Sequence, residues 1–266
     1  MRVDVLLDPI GTRWEEVRDA AVVAGESGFD GVWMWDHLAG SVHRASRVLE
    51  CWTTLTALAA AVPHLTVGPL VLNVANRDPG TLAVMAATLQ EVSGGRLILG
   101  MGAGGGLDTP YAAEQQALGR QVAGDRSRRR HLESAIATVR EVWTGRSGEV
   151  GGFLTPEPPP PIVVGAFGPK MAELAGRVGD GINLQAGDPA LDRLAGMARD
   201  AYRSRGKEPD DFLVTVFTGL DERWVRPDGA PQARLAAAGV DRLILLVAPR
   251  ALGEIRQVGR HLGRAA

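Results

Sequence analysis

The feature that most limits the fold of this chain is an alternation of short apolar runs with longer segments of helical period. Eight runs are predicted to be strands, at residues 3–7, 31–35, 65–73, 97–102, 162–165, 181–185, 212–217 and 242–247. Strands that are apolar along their whole length are typical of a parallel sheet covered by helices. Eight such strands, each followed by a helix, favour an α/β fold of the (β/α)8 TIM-barrel type over a doubly wound sheet.

The alternation has one weak point, "SGEVGGFLTPEPPPPIVV", where prolines occupy residues 158–161 just before the fifth strand. Proline cannot donate to a strand ladder, so we interpret this stretch as a surface crossing rather than a domain boundary. The length of 266 residues allows one large domain or two small ones, and 45% of the residues are hydrophobic, enough for a sizeable core. Because no long linker divides the chain, we predict a single domain over residues 1–266.

The charge is nearly balanced, with 29 basic and 31 acidic residues and a formal net charge of −2. This balance gives no reason to expect nucleic acid or a membrane surface as a partner. Cys51 is the single cysteine and cannot form an internal disulfide. The first apolar run is too short for a signal peptide, and no run reaches the ~18 apolar residues of a membrane span. We therefore expect a cytoplasmic protein.

Four predicted helices begin with recognisable signals. In "TRWEE", Thr12 stands three residues before Glu15, a spacing that predicts a capping box. Pro79, Pro169 and Pro189 stand where a proline in the first helical turn is tolerated.

The stretch "VWMWDHL" places Asp36 and His37 directly after the second predicted strand. In a (β/α)8 barrel the chemistry lies at the carboxyl ends of the strands, so this pair is a candidate for the active site. The alternative is that Asp36 caps the next helix and that His37 is a surface histidine. Polar residues also follow other strands, namely Asn73, Asp108, Asn183 and Gln185, although loop starts are commonly polar.

The turn "GAFG", residues 165–168, connects the fifth strand to the helix that opens with Pro169. Free N–H groups at a helix start, together with the positive end of the helix dipole, favour an anion, and glycine lets a phosphate approach closely. The turn lacks the Lys-Ser/Thr ending of a Walker loop, and "GMGAGGG" lacks the spacing of a dinucleotide fingerprint. The alternative is an ordinary connection that needs glycine for positive φ.

Four stretches together resemble a known family. "SGGRLILGMGAGG" and "PPIVVGAFGPKMAELAGRVGDGINL" closely resemble the luciferase-like monooxygenase superfamily, especially its coenzyme F420-dependent branch. "VWMWDHL" resembles the end of strand two in that branch, and "VGPLVLNVANRDPGTLAVMAATLQEVSGGR" is similar to its third strand and following helix. The resemblance implies a barrel enzyme that transfers a hydride between F420 and a small organic substrate, and it implies a homodimer because the family commonly dimerises.

The resemblance also implies roles for individual residues. His37 corresponds to a histidine near the deazaflavin ring that is implicated in proton transfer, and imidazole suits that role because its unperturbed pKa is about 6.5. The bond between Leu70 and Val71 corresponds to a non-prolyl cis peptide in a bulge that backs the ring. The expected cofactor-binding residues are Asp36, Leu70, Val71, Asn73, Asp108, Gly165, Ala166, Phe167 and Gly168, the last four holding the cofactor phosphate.

The sequence departs from the family pattern at two positions. Some F420-dependent dehydrogenases have a proton-donating glutamate in the loop after strand four, where this chain has Gly105. The proton must then come from His37, another residue or water. The sugar-phosphate dehydrogenases of the branch have a lysine where this chain has Asp188, which argues against a sugar-phosphate substrate.

A basic cluster opens the helix that begins "RSRRRHLESAIATVREVW", with Arg126, Arg128, Arg129 and Arg130. Cations are unfavourable at a helix N-terminus, so another interaction is expected to favour them. F420 carries a polyglutamate tail, which these arginines would meet if they lie near the barrel mouth. The alternative is a solvated helix face whose arginines pair with carboxylates such as Glu133.

Three other functions remain open at this stage. A metal-dependent hydrolase is disfavoured, because the five histidines form no H-x-H pair and only His37 follows a strand, so no metal is expected. An FMN-dependent monooxygenase is the nearest enzyme alternative, since FMN shares the tricyclic ring and ribityl phosphate of F420. A non-catalytic flavin- or deazaflavin-binding protein is the third, because Gly105 replaces the family acid.

Overall fold

The computed structural model describes residues 1–227 and 229–263, and parallel strands form its centre. The strands are β1 (Arg2–Leu7), β2 (Gly31–Met34), β3 (Thr66–Pro69), β4 (Leu72–Asn73), β5 (Leu99–Gly102), β6 (Arg146–Ser147), β7 (Val150–Gly151), β8 (Ile162–Gly165), β9 (Gly181–Gln185), β10 (Leu213–Gly219) and β11 (Arg242–Val247). Strands β6 and β7 pair with each other as a separate antiparallel hairpin. All eight predicted strands are present.

The remaining nine strands form one parallel sheet in the order β3-β2-β1-β11-β10-β9-β8-β5-β4. A bridge between Val67 of β3 and Leu97, just before β5, closes the sheet into a barrel, and there Ile98 donates its N–H to the Val67 carbonyl at 3.0 Å. Strands β3 and β4 are two halves of the predicted third strand, and the peptide bond between Leu70 and Val71 that separates them is cis. The predicted (β/α)8 barrel and the predicted cis bond are confirmed.

Helices follow the strands and cover the outside of the barrel. They are α1 (Trp14–Glu26), α2 (Cys51–Ala61), α3 (Pro79–Val92), α4 (Ala112–Ala117), α5 (Asp125–Val142), α6 (Pro169–Val178), α7 (Leu191–Arg203), α8 (Ala230–Ala237) and α9 (Leu252–Gly259). Pro79 and Pro169 begin their helices as predicted. The prediction for Pro189 is wrong, because it precedes Ala190, the N-cap of α7. Across residues 1–227 and 229–263, each helix is too short or too polar to cross a membrane.

The start of α1 differs from the prediction by one residue. Arg13 is the N-cap, and the Glu16 carboxylate accepts its backbone N–H at 2.9 Å. Thr12 instead donates its hydroxyl to the Asp8 carbonyl at 3.3 Å, so it closes the preceding turn. The capping box predicted for Thr12 and Glu15 is therefore wrong, because the helix starts one position later than the pattern indicated.

Two apolar clusters hold the barrel together. The smaller lies inside the barrel and takes side chains from facing strands, namely Leu6, Trp33, Leu70, Ile98, Val163 and Ile244. The larger fills the layer between the strands and the surrounding helices. The alternation of side-chain direction along each strand produces both clusters, since every second residue faces the barrel interior.

A buried ion pair lies near the amino ends of the strands. Arg242 donates to both carboxylate oxygens of Asp4, at 2.8 and 2.7 Å, and the indole N–H of Trp33 donates to the same carboxylate at 2.8 Å. The Asp4 side chain has no exposed surface. Burial raises the pKa of Asp4 above its ordinary value even though the Arg242 guanidinium opposes the shift. The two charges therefore depend on each other inside the barrel.

We expect Arg242→Met to lower the free energy of unfolding by about 3–5 kcal/mol, because it leaves a buried carboxylate without its counter-charge. The double variant Asp4→Asn, Arg242→Met should recover most of that loss, since the asparagine is uncharged and still accepts from Trp33. Urea denaturation measures both. Arg203→Met is the matched control, because Arg203 forms an exposed ion pair with Asp200, and it should cost less than about 1 kcal/mol. A double variant no more stable than Arg242→Met would contradict the charge argument.

Candidate active site

The carboxyl ends of the strands bring several predicted site residues into one continuous surface. Val71, in the bulge between β3 and β4, lies over Gly165 at the end of β8. Asn73 lies against Gly104 in the loop after β5, and its backbone N–H donates to Asp36 after β2. The predicted residues Asp36, Val71, Asn73 and Gly165 are therefore neighbours at the barrel mouth.

The Asp36 carboxylate is saturated with hydrogen bonds from the turn that follows β4. It accepts from the backbone N–H of Asn73 at 2.9 Å, from the Asn76 amide at 3.0 Å, and from both terminal nitrogens of Arg77 at 2.9 Å. Glu50 also accepts from Arg77. Although burial disfavours the Arg77 charge, the bonds to Asp36 and Glu50 raise its pKa above the ordinary value.

The network around Asp36 extends to α4. Gln115 donates its amide to the Asn76 side-chain oxygen, and Arg120 donates to the same oxygen at 3.2 Å. No surface of the Asp36 side chain is exposed, so its carboxylate is sealed from the mouth. This arrangement fits a positioning role for Asp36, and its direct contact with a cofactor stays a prediction.

His37 faces a carboxylate that the sequence did not point to. Its Nδ1 atom lies 3.3 Å from Oε1 and 3.4 Å from Oε2 of Glu114 in α4. The His37 side chain is 18% exposed and the Glu114 side chain 3%, so the histidine has the more open position. Burial raises the pKa of Glu114, but the hydrogen bond with His37 and the backbone N–H groups of Leu38 and Ala39 outweigh it and lower the net pKa. Glu114 is therefore an anion at neutral pH.

Two further rings and a second carboxylate surround His37. The His43 ring lies 4.3 Å from the His37 ring between centroids, and the Tyr111 ring lies 5.1 Å away. Burial, followed by the nearby His37, lowers the pKa of His43. Burial raises the pKa of Asp8, at the end of β1, against the opposing effect of both imidazoles. Titratable groups from the loops after β1, β2 and β5 therefore lie near one another at the mouth.

Glycines make room for the bulge at the barrel mouth. A Cβ atom at Gly102 would lie 2.5 Å from Cγ2 of Val71, and one at Gly165 would lie 2.9 Å from the same atom. Leu70 is buried and donates its N–H to the Met34 carbonyl at 2.8 Å. Val71 is therefore wedged over the ends of β5 and β8, where it forms a wall of the mouth.

The "GAFG" turn has a more specific shape than the sequence predicted. Ala166 already donates its N–H to the Asn183 carbonyl at 3.0 Å, so the expectation that its N–H holds a phosphate is corrected. The N–H groups of Phe167, Gly168 and Lys170 have no partner among the residues that the structure describes. Phe167 is 76% exposed. Neither Gly165 nor Gly168 has positive φ, so the alternative of a turn that needs glycine for that reason is wrong.

The loop after β5 explains the missing family acid. A Cβ atom at Gly105 would lie 2.6 Å from the Thr109 hydroxyl and 2.9 Å from Cβ of Tyr111, so no side chain fits there without a shift of the loop. Asp108 is exposed in the same loop. Its predicted contact with the cofactor stays a prediction.

The arginines at the start of α5 do not act as one group. Arg128 donates to the Gly104 carbonyl and pairs with Asp125 at 2.5 Å, so it braces the loop after β5. The others line a groove of about 300 Å³ between α5 and α6, which is formed by Arg126, Arg129, Arg130, Glu133, Lys170, Glu173, Leu174 and Arg177. We call this the basic groove. The predicted pairing of α5 arginines with Glu133 is replaced by a pair between Glu133 and Arg177 at 3.2 Å.

Sequence reasoning missed Glu114, His43 and Tyr111. Glu114 lies 77 residues after His37, in a six-residue helix with no distinctive pattern. The sequence contains a weak indication of His43, since it follows His37 within one loop. The approach of its ring to the His37 ring, however, depends on the one-turn helix at Gly40–His43. These contacts arise from loop geometry, which a linear motif does not encode.

We expect Asp36→Ala to lower the free energy of unfolding by about 2–4 kcal/mol, because it removes four hydrogen bonds and leaves the guanidinium of Arg77 partly unpaired. His37→Ala should cost about 1 kcal/mol, since its side chain is partly exposed and only one ion pair is lost. Guanidinium denaturation of both variants measures the difference. Equal costs would show that Asp36 does not have the structural role described above.

Comparisons with known proteins place this geometry in context. The chain is 31% identical over 222 residues to an F420-dependent glucose-6-phosphate dehydrogenase of Nakamurella multipartita, covering 77% of this chain and 64% of that protein. It is 30% identical over 253 residues to an F420-dependent hydroxymycolic acid dehydrogenase of Mycobacterium tuberculosis, covering 90% and 69%. The chain thus spans less than two thirds of the length of the first of these relatives.

Solved structures share the fold. An F420-dependent secondary alcohol dehydrogenase in complex with an F420-acetone adduct matches with a TM-score of 0.83 and 17% identity, over 100% of this chain and 99% of that one. A coenzyme F420-dependent tetrahydromethanopterin reductase from Methanopyrus kandleri matches with a TM-score of 0.72 and 18% identity, over 98% of both chains. The family model described as luciferase-like monooxygenase matches residues 2–220. The chain belongs to the luciferase-like monooxygenase family.

Proposed function

We propose that this protein is an oxidoreductase that transfers a hydride between coenzyme F420 and a small organic substrate at the barrel mouth. The observation that carries the proposal is the pairing of His37 with Glu114 at the barrel mouth, where Asp36, the residue before His37, accepts the N–H of Asn73, two residues after the Val71 wall. The similar dehydrogenases of Nakamurella multipartita and Mycobacterium tuberculosis are described as F420-dependent, and they support the choice of cofactor.

The residues at the mouth fit the chemical parts of F420. Val71 offers an apolar wall for the deazaflavin ring, since it is held over Gly102 and Gly165. The free N–H groups of Phe167, Gly168 and Lys170 at the start of α6 suit the phosphate. When bound, F420 supplies or accepts the hydride of the reaction.

The protein supplies the proton. Because Glu114 is anionic, it favours the tautomer in which Nδ1 of His37 carries a hydrogen and points at the carboxylate. The second ring nitrogen, Nε2, then takes a proton from an alcohol, and in the reverse direction the imidazolium, with hydrogen on both nitrogens, gives its Nε2 proton to the oxygen of the reduced carbonyl. Glu114 acts through His37 and is a positioning residue. Gly105 stands where some relatives have a proton-donating glutamate. In this chain Glu114 provides a carboxylate at the barrel mouth from a different position.

The basic groove supports F420 over FMN. It presents five basic and two acidic side chains, and Lys170 belongs both to the groove and to the first turn of α6. An anionic chain that leaves the phosphate site would therefore find cations along α5 and α6. F420 has such a polyglutamate tail and FMN has none.

The substrate is proposed only as a class. Asp188 accepts the N–H of Ala190 at 2.8 Å and so closes the turn before α7, where the sugar-phosphate dehydrogenases have a lysine. A carboxylate at this place disfavours an anionic substrate. We therefore favour an uncharged alcohol or carbonyl compound.

Glu114→Gln should lower kcat by about tenfold or more while the Kd for F420 changes little, because the amide no longer holds the Nδ1 proton as strongly. In a His37→Ala background the same substitution should change kcat less than about twofold, since Glu114 then has nothing to position. Steady-state kinetics and fluorescence quenching of F420 give the two constants.

The matched control for this cycle is Glu222→Gln. Glu222 faces His261 at 3.3 Å, the same separation as between Glu114 and His37. Glu222→Gln should leave kcat within about twofold of wild type. Additive effects of Glu114→Gln and His37→Ala would refute the positioning role.

F420 should bind more tightly than FMN at low salt, and its affinity should fall more steeply as salt rises, because exposed charges are screened beyond ~10 Å at 0.1 M. Replacing Arg126, Arg129 and Lys170 with alanine should remove most of that salt dependence and leave FMN binding nearly unchanged. Fluorescence quenching across a salt series measures both dissociation constants.

The charge-matched control for the groove replaces Arg18, Arg203 and Arg223 with alanine, which are exposed and lie outside the groove. It should leave the salt dependence of F420 binding as in wild type. Tighter binding of FMN than of F420 at low salt would overturn the cofactor choice. Unchanged F420 binding in the groove variant would overturn the role of the groove alone.

A further inference from the structure

The cluster of His37, His43 and Glu114 has a second property that proton transfer does not require. One ligand atom from each of these residues lies within 4.8 Å of the other two, a grouping of the kind that holds a metal ion. It is the one such group of three found in residues 1–227 and 229–263. Two imidazoles and one carboxylate are also the ligands of His2Glu zinc sites.

The distance between His37 and Glu114 fits a shared cation. Nδ1 of His37 lies 3.3 and 3.4 Å from the two carboxylate oxygens, whereas an N–H···O hydrogen bond is typically about 2.9 Å long. Two ligand atoms at about 2.0–2.1 Å from a tetrahedral Zn²⁺ are separated by about 3.3 Å. The spacing is therefore that of two ligands on one ion.

His43 provides a third donor atom that no residue in the described part of the chain uses. Its Nε2 atom is buried and has no hydrogen-bond partner among the described residues. A buried polar nitrogen without a partner is costly, and a bound cation would satisfy it. The His43 ring is held 4.3 Å from the His37 ring at an angle of 65°, so the two imidazoles converge without stacking face to face.

We propose that His37, His43 and Glu114 form a binding site for a first-row divalent cation such as Zn²⁺ or Co²⁺. Three protein ligands leave a fourth position for water or an oxygen of a small molecule, as in open zinc sites. The cation occupies the space between Nδ1 of His37 and Glu114, and so it replaces the hydrogen that the oxidoreductase reaction uses there. Metal binding and that reaction are therefore mutually exclusive, and zinc inhibits turnover.

The comparison pair within the chain is His261 with Glu222. Its imidazole and carboxylate have the same 3.3 Å separation, but no third ligand accompanies them among the described residues. A His–Glu pair alone is therefore insufficient for the site, and His43 is the residue that distinguishes the two places.

The test titrates ZnCl2 and CoCl2 into tag-free protein without F420 or FMN, so its result does not depend on the proposed function. We expect one equivalent of Zn²⁺ per chain by calorimetry and visible Co²⁺ absorption of the tetrahedral type. His43→Ala and Glu114→Gln should each weaken binding at least tenfold, and His261→Ala should leave it unchanged. Circular dichroism and thermal unfolding confirm that each variant is folded.

Three outcomes overturn the proposal. They are the absence of Zn²⁺ binding to the folded wild-type protein, binding that persists in both His43→Ala and Glu114→Gln, and binding that is lost only in His261→Ala. If the protein also turns over with F420, added zinc should inhibit wild type at least tenfold more strongly than His43→Ala, and a chelator should reverse the effect. Equal inhibition of the two proteins would overturn the mutual exclusion.

Discussion

The candidate site depends on one buried carboxylate, that of Asp36. Its hydrogen bonds to Asn73, Asn76 and Arg77 fix the turn after β4 against the end of β2. Asn76 then accepts from Gln115, which stands beside Glu114 in α4. Because Glu114 faces His37, the residue next to Asp36, the network runs from β2 through the turn and α4 back to β2. A single charge thus orients both members of the His37–Glu114 pair.

Asp36 can orient these residues from a buried position because its negative charge is balanced inside the protein by Arg77. Arg77 binds both of its oxygens, and the remaining donors are the amide of the buried Asn76 and the backbone N–H of Asn73. A buried carboxylate with several donors is held in one orientation, since any rotation would leave a donor or an oxygen unsatisfied. This rigidity is what a hydride-transfer site requires of its walls.

The sequence predicted much of the fold and only part of the site. Eight strands, the barrel and the cis bond after Leu70 followed from local runs and family motifs, because strand period and motif order are properties of short segments. The site contacts of Glu114 and His43 were not predictable, since they depend on how loops of irregular shape return to β2. The same holds for Arg128, whose position within a basic run did not indicate that it braces the carbonyl of Gly104.

The two proposed ligands, F420 and a divalent cation, have opposite charges and neighbouring sites at the mouth. The start of α6 and the basic groove favour an anion, whereas His37, His43 and Glu114 favour a cation. Glu114 takes part in both proposals, because its carboxylate accepts the Nδ1 hydrogen of His37 in the first and binds the metal in the second. In the proposed reaction Nε2 of His37 exchanges a proton with the substrate while Nδ1 carries a hydrogen, and in the proposed metal site the cation takes the place of that hydrogen. The two proposals together imply that these three side chains give the mouth a reactive and an inhibited state, with the free metal concentration setting the balance between them.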